Sequence, residues 1–131
     1  MKRQHILFLL FAGVIVLPRA MPAQTPAKRD SLLLLARTAP ADTARVWALM
    51  EVGKLYLNTQ ADTAELYLSQ ALALAERSGF DRGIAKCRIN RAFAFNNQSQ
   101  YRASIADCQV AIPICERLGM GKELVAGYNN M

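Results

Sequence analysis

Apolar and small residues recur at helical spacing from residue 42 onward, and this pattern predicts paired helices. In 42–58 the spacing of three and four residues is kept by Val46, Leu49, Met50, Val52, Gly53 and Tyr56. The segment 62–78 repeats the pattern and is followed by Gly79, a common helix stop. The short stretch 59–61 between them is long enough only for a turn. The two segments therefore predict an antiparallel helix pair.

A second helix pair is predicted from the recurrence of the first. Residues 76–79 (Glu-Arg-Ser-Gly) recur at 116–119 (Glu-Arg-Leu-Gly), 40 positions later. The pattern predicts helices over 81–97 and 101–118, a turn at 98–100, and a further helix starting near Lys122. Self-similarity with a fixed period indicates stacked supersecondary units, so we expect an all-α fold. Its units are 42–80, 81–120 and the start of a third, 121–131.

Small and large residues alternate within each unit in a pattern that resembles the signature of the tetratricopeptide repeat, in a longer form with a period near 40. The residues that carry the resemblance are Gly53, Tyr56, Ala64, Leu68 and Ala71 in the first unit and Ala92, Phe95, Ser104, Cys108 and Ala111 in the second. The resemblance implies helix-turn-helix units stacked as an α-solenoid. Small residues at such positions let paired helices approach closely, and large ones fill the gaps.

The segment 1–23 has the layout of a secretory signal peptide: a basic start, an apolar centre at 6–17 and small residues before Gln24. The apolar centre would span roughly 18 Å as a helix, well short of the roughly 30 Å hydrocarbon core of a bilayer. We therefore expect a cleaved signal and no stable membrane span afterwards, with a retained anchor as the alternative. The chain is predicted to be exported, periplasmic or secreted. Residues 24–41 are predicted as a linker and a short capping helix, capped by Asp30 or Ser31.

Charge gives little support for nucleic-acid binding once the signal is removed. Residues 1–23 hold three basic and no acidic residues, so the formal charge falls from +6 to +3. The rest of the basic charge is densest on the predicted helix 81–97, in a run made up of Arg77, Arg82, Lys86, Arg88 and Arg91. This run is interpreted as a solvated face or, alternatively, as a docking surface for an acidic segment.

Two arginines in this run occupy positions where the repeat family usually buries aliphatic side chains. The favoured interpretation places the stems of Arg88 and Arg91 along a groove edge with their heads in water. The alternative is a rotated helix that turns Ile89 and Phe93 inward.

No residue pattern predicts catalysis, a metal or a cofactor. Removal of 1–23 also removes His5, the only histidine, so no imidazole remains for general base work. The three cysteines are interpreted as small core residues, and a Cys87–Cys115 bridge is the alternative. Pro113 inside the helix 101–118 is expected to kink it. We expect a protein that is not an enzyme.

Asparagines at equivalent places on successive first helices are the best candidates for binding. Asn90 and Asn130 lie 40 residues apart and would align along a concave surface, where an amide can both donate to and accept from a peptide backbone. The family resemblance implies that such asparagines clasp an extended peptide. The full candidate face consists of Trp47, Met50, Glu51, Lys54, Ile89, Asn90, Phe93, Asn97, Asn129 and Asn130.

The function predicted by this resemblance is a non-catalytic scaffold that binds a protein or peptide. The resemblance also implies the sensory part of a signal-transduction protein. The alternative is a truncated fragment of a larger histidine kinase or transcriptional regulator, with no independent function. Because roughly three repeats are needed for independent stability, we also expect self-association through the uncapped third unit.

Overall fold

The structure is a computed structural model that describes residues 26–131, and these residues form six helices. The helices are α1 (Pro26–Thr38), α2 (Asp42–Tyr56), α3 (Ala61–Arg77), α4 (Asp81–Asn97), α5 (Tyr101–Leu118) and α6 (Gly121–Asn129). No strand occurs within this part of the chain. The expectation of an all-α fold is thus confirmed for the described residues, and the predicted signal peptide, 1–23, lies outside them.

Helix contacts follow the order of the chain. Each helix packs against the next, and two further contacts join α2 to α4 and α4 to α6. The backbones of α3 and α5 do not approach each other in the described structure. As a result α2, α4 and α6 share one side of the protein, and their side chains can form a common surface.

The turns that end the helices are set by glycine and short polar segments. Gly79 after α3 and Gly119 after α5 adopt φ values of 65° and 64°, a left-handed conformation that costs glycine little. Helices α4 and α5 have the predicted bounds, and α2 ends two residues earlier than predicted. The segment 98–100 forms the tight connection between α4 and α5 as expected.

Helix α1 begins earlier than the sequence analysis predicted. It starts at Pro26, so Asp30 and Ser31 lie inside it and cap nothing, and most of the predicted linker is helical. Proline is well suited to a first helical position because its φ is already helical and its missing N–H is not needed there. The helix packs on α2 and buries Ala36 and, just beyond its end, Ala39.

The repeat signature lies in the core. Its members are buried except Tyr56, which is half-buried and stacks on Tyr67 with ring centroids 6.1 Å apart. The tightest approach is between α2 and α3, where a Cβ placed on Gly53 would lie 2.7 Å from Cγ of Leu68. A small residue at position 53 is therefore what allows these two helices to pack this closely.

The cysteines are core residues, as the favoured interpretation had them. Cys87, Cys108 and Cys115 are free and fully buried, so the Cys87–Cys115 bridge is not formed. Burial raises the pKa of the Cys87 thiol to about 12, which makes it a poor nucleophile. Helix α5 continues through Pro113 to Leu118.

Candidate binding face

The candidate face is built from the same register positions on successive helices. On α2 it contains Trp47, Met50, Glu51 and Lys54, at the spacing that brings side chains to one side of a helix. On α4 the same spacing gives Lys86, Ile89, Asn90 and Phe93. Because α4 packs between α2 and α6, these side chains meet residues of α6 and line two adjoining clefts.

The first cleft, named here the lysine cleft, has a volume of about 280 Å³. Six of the predicted residues line it: Trp47, Met50, Glu51, Lys54, Ile89 and Asn90. The structure adds four that were not predicted, namely Lys86, Lys122, Glu123 and Ala126. Met50 and Ile89 are 2% and 6% exposed, so they form the floor of the cleft rather than an accessible rim.

The second cleft, named here the amide cleft, has a volume of about 390 Å³. It contains the predicted residues Ile89, Asn90, Phe93, Asn129 and Asn130, together with Leu57, Asn58 and Ala126. Four asparagines therefore surround an apolar floor, and no lining residue carries a charge. The two clefts share Ile89, Asn90 and Ala126.

Asn97 lies outside both clefts. It lines a third hollow with Leu57, Asn58, Thr59 and Ala61, and its Nδ2 donates to the Leu57 carbonyl at 2.7 Å. This bond ties the end of α4 to the end of α2. The predicted face therefore separates into two clefts and this neighbouring polar hollow, where Asn97 has a structural partner.

The two key asparagines are held in place by hydrogen bonds but keep acceptor capacity. Nδ2 of Asn90 donates to the Lys86 carbonyl at 2.8 Å, and Nδ2 of Asn130 donates to the Ile89 carbonyl at 3.3 Å. The Asn130 carbonyl accepts from Asn96 and Ser104, each at 3.0 Å. These bonds fix both side chains and leave the two Oδ1 atoms as acceptors for a ligand N–H.

Lys86 connects all three helices of the face, and the sequence analysis did not assign it to the site. Its ammonium lies 5.0 Å from the centroid of the Trp47 ring and forms an ion pair with Glu123 at 2.9 Å. Trp47 in turn meets Phe80 edge to face, with centroids 5.7 Å apart. The available sequence signal was the period: Glu123 lies 40 residues after Gly83, one helical turn before Lys86.

This ion pair predicts a dependence of stability on pH. The hydrogen bond from Lys86 holds the pKa of the Glu123 carboxyl below its ordinary value. A lowered pKa contributes stability above the ordinary Glu value, about 4.3, and that stability is lost as pH falls through the lowered value. We expect Glu123→Gln to reduce the free energy of unfolding by less than about 1 kcal/mol at neutral pH, and by nothing below the lowered pKa. Urea unfolding at several pH values measures this difference.

The matched control for the pH prediction changes the partner. In Lys86→Gln, an NMR titration of the Glu123 carboxyl should give a higher pKa than in the unmodified chain. An identical titration in both proteins would contradict the role given to Lys86.

The structure corrects the interpretation of the two arginines on α4. Their heads do not lie in water: Nη1 of Arg88 donates to Oδ1 of Asp107 at 2.9 Å, and Nε of Arg91 donates to Oδ2 at 2.7 Å. The Asp107 side chain is 4% exposed and each arginine side chain 19%. Arg88 also reaches Glu76, and Arg91 reaches Ser69, both on α3. Asp107 hydrogen bonding is the main cause that raises the pKa of Arg91.

The rotated-helix alternative is half met: Ile89 is buried, but Phe93 is 38% exposed. The basic run is therefore mostly a set of internal ion pairs. Lys86, Arg88 and Arg91 each bind an acid of a neighbouring helix, and of the run only Arg77 and Arg82 are strongly exposed. The interpretation as a solvated face is wrong for those three residues, because the carboxylates of Asp107 and Glu123 lie where the repeat places them against α4.

Residues 26–131 bring together no group of three His, Cys, Asp or Glu side chains able to hold a metal. No helix in this range is both long and apolar enough to cross a bilayer. No protein-family model, curated protein or solved structure matches the chain.

Proposed function

We propose that the chain is an exported, non-catalytic helical-repeat protein of tetratricopeptide type, which binds an extended segment of another protein along the shared side of α2, α4 and α6. The observation that carries the proposal is the pair of adjoining clefts lined from three successive first helices at one register. Recurrence near 40 residues, together with contacts that follow chain order, supports a solenoid arrangement. The signal-like segment 1–23 supports export.

The chemistry of the face suits a peptide better than a small substrate. Open clefts side by side offer room for successive side chains, and fixed amide acceptors between them suit backbone N–H groups. Apolar floor residues such as Ile89 and the partly exposed Phe93 supply area whose burial favours binding. Buried thiols with raised pKa values, Cys87 among them, supply no activated nucleophile.

The proposal is tested by selecting ligands from a random dodecapeptide library displayed on phage, using the full chain as bait. Binding of the selected peptides, made synthetically, is then followed by tryptophan fluorescence, because Trp47 is the only tryptophan and lines the lysine cleft. We expect Asn90→Ala combined with Asn130→Ala to weaken binding at least about tenfold, since two amide hydrogen bonds are worth about 1–3 kcal/mol together.

Gln109→Ala is the matched control, because it removes an exposed amide from α5 outside both clefts. Circular dichroism must show unchanged helix content in each variant. The proposal is overturned if no peptide is enriched, or if the asparagine variant binds as well as the control.

A further inference from the structure

The charges of the lysine cleft do not balance. Three ammonium groups, of Lys54, Lys86 and Lys122, face two carboxylates, of Glu51 and Glu123. Lys54 pairs with Glu51 at 2.8 Å and Lys86 with Glu123 at 2.9 Å. Lys122 takes part in no ion pair among residues 26–131, so the cleft keeps one uncompensated positive charge.

This imbalance discriminates between ligands by the sign of their charge. A basic ligand side chain would find both carboxylates already taken and would lie beside like charges, which costs free energy. An acidic side chain can pair with the exposed Lys122 without breaking any existing ion pair. Lys122 is therefore the residue in the cleft that selects for an acidic ligand.

The adjoining amide cleft selects differently. It carries no charge, and its floor includes Leu57, Ile89 and Phe93. Because Ile89, Asn90 and Ala126 belong to both clefts, one extended segment can enter both at once. Asn90 lies at the junction, where its Oδ1 can accept from the backbone of that segment.

We propose that the bound segment carries an apolar side chain for the amide cleft and, close to it in sequence, an acidic side chain that pairs with Lys122. This inference rests on the proposed function and adds the chemical class of the peptide. It makes Lys122 and Phe93 specificity-determining residues, each responsible for one feature of the ligand.

The test uses the synthetic dodecapeptides selected by phage display on the full chain. They are expected to share an acidic residue near an aliphatic or aromatic one. Changing that acid to Gln should weaken binding to the unmodified protein about tenfold, as expected for loss of a charge-assisted contact. Changing it to Lys should weaken binding further. Changing the apolar residue to Ala should weaken binding to the unmodified protein more than to Phe93→Ala.

A charge exchange then assigns the contact. Lys122→Glu should weaken the acidic peptide about tenfold, leave the Gln peptide unchanged, and restore binding of the Lys peptide. Arg102→Glu makes the same change in net charge on α5, outside both clefts, and should leave all three affinities unchanged. If the selected peptides bind but share no acid, or if both charge variants act alike, this inference fails while the proposed function stands. Failure to enrich any peptide overturns both.

Discussion

Replacing Asp107 by Asn will destabilise the protein by about 3 kcal/mol, the lower part of the range for breaking a buried ion pair. Asp107 is 4% exposed and accepts from both Arg88 and Arg91, so the neutral amide leaves two guanidinium groups without their main partner. The cost stays at the lower end because each arginine side chain is still 19% exposed to solvent. Urea unfolding followed by circular dichroism measures the change in the free energy of unfolding.

Glu76→Gln is the matched control, because it removes the other carboxylate that binds Arg88. Glu76 is 47% exposed, so its pair with Arg88 is a surface ion pair and its loss should cost less than about 1 kcal/mol. Equal costs for the two variants would show that burial of Asp107 contributes nothing. Removal of Arg88 together with Asp107 should cost less than the sum of the two single changes, since the two residues interact directly.

The helices could be predicted from the sequence because their signals are local. Spacing of three and four residues, glycines at 79 and 119, and the 40-residue recurrence each depend on a few neighbouring residues. The start of α1 was missed because its apolar residues, 32–35, are continuous and give no period. Pro26 was the available signal for the true start, since proline favours a first helical position.

The candidate site could be predicted only as far as the repeat determines it. Equivalent positions on successive units fall on one side, which is why nine of the ten predicted residues line the two clefts. Pairing between helices does not follow the period: Arg91 and Asp107 are 16 residues apart, and Lys86 and Glu123 are 37 apart. Such partners are set by how far each helix is rotated about its axis, and side-chain spacing within one helix does not determine that rotation.

The ion pairs and the clefts depend on the same helix, α4. Its apolar positions and Asn90 contribute to the clefts, while Arg88 and Arg91 bind Asp107 on α5 and reach α3. A change in the rotation of α4 would therefore move Ile89 and Asn90 together with the arginines. For this reason variants of Asp107 are expected to weaken peptide binding as well as stability, whereas Glu76→Gln should affect neither strongly.

Replacing Gly53 by Ala will destabilise the protein by about 1–2 kcal/mol, although alanine is the better helix former by about 1 kcal/mol. The added Cβ would lie 2.7 Å from Cγ of Leu68 and 3.3 Å from the Ala64 carbonyl oxygen. Leu68 is fully buried and has no room to move, so α2 and α3 must separate. The sign of the change is informative, because intrinsic helix propensity alone predicts stabilisation.

Gly121→Ala is the control for the Gly53 prediction, since nothing lies within 4 Å of a Cβ at that position in α6. It should be neutral or stabilise by up to about 1 kcal/mol. Combining Gly53→Ala with Leu68→Ala should cost less than the sum of the single changes, because the shortened side chain at 68 makes room for the new methyl group. Stabilisation by Gly53→Ala, or strict additivity in the double variant, would contradict the close approach of α2 and α3 at this point.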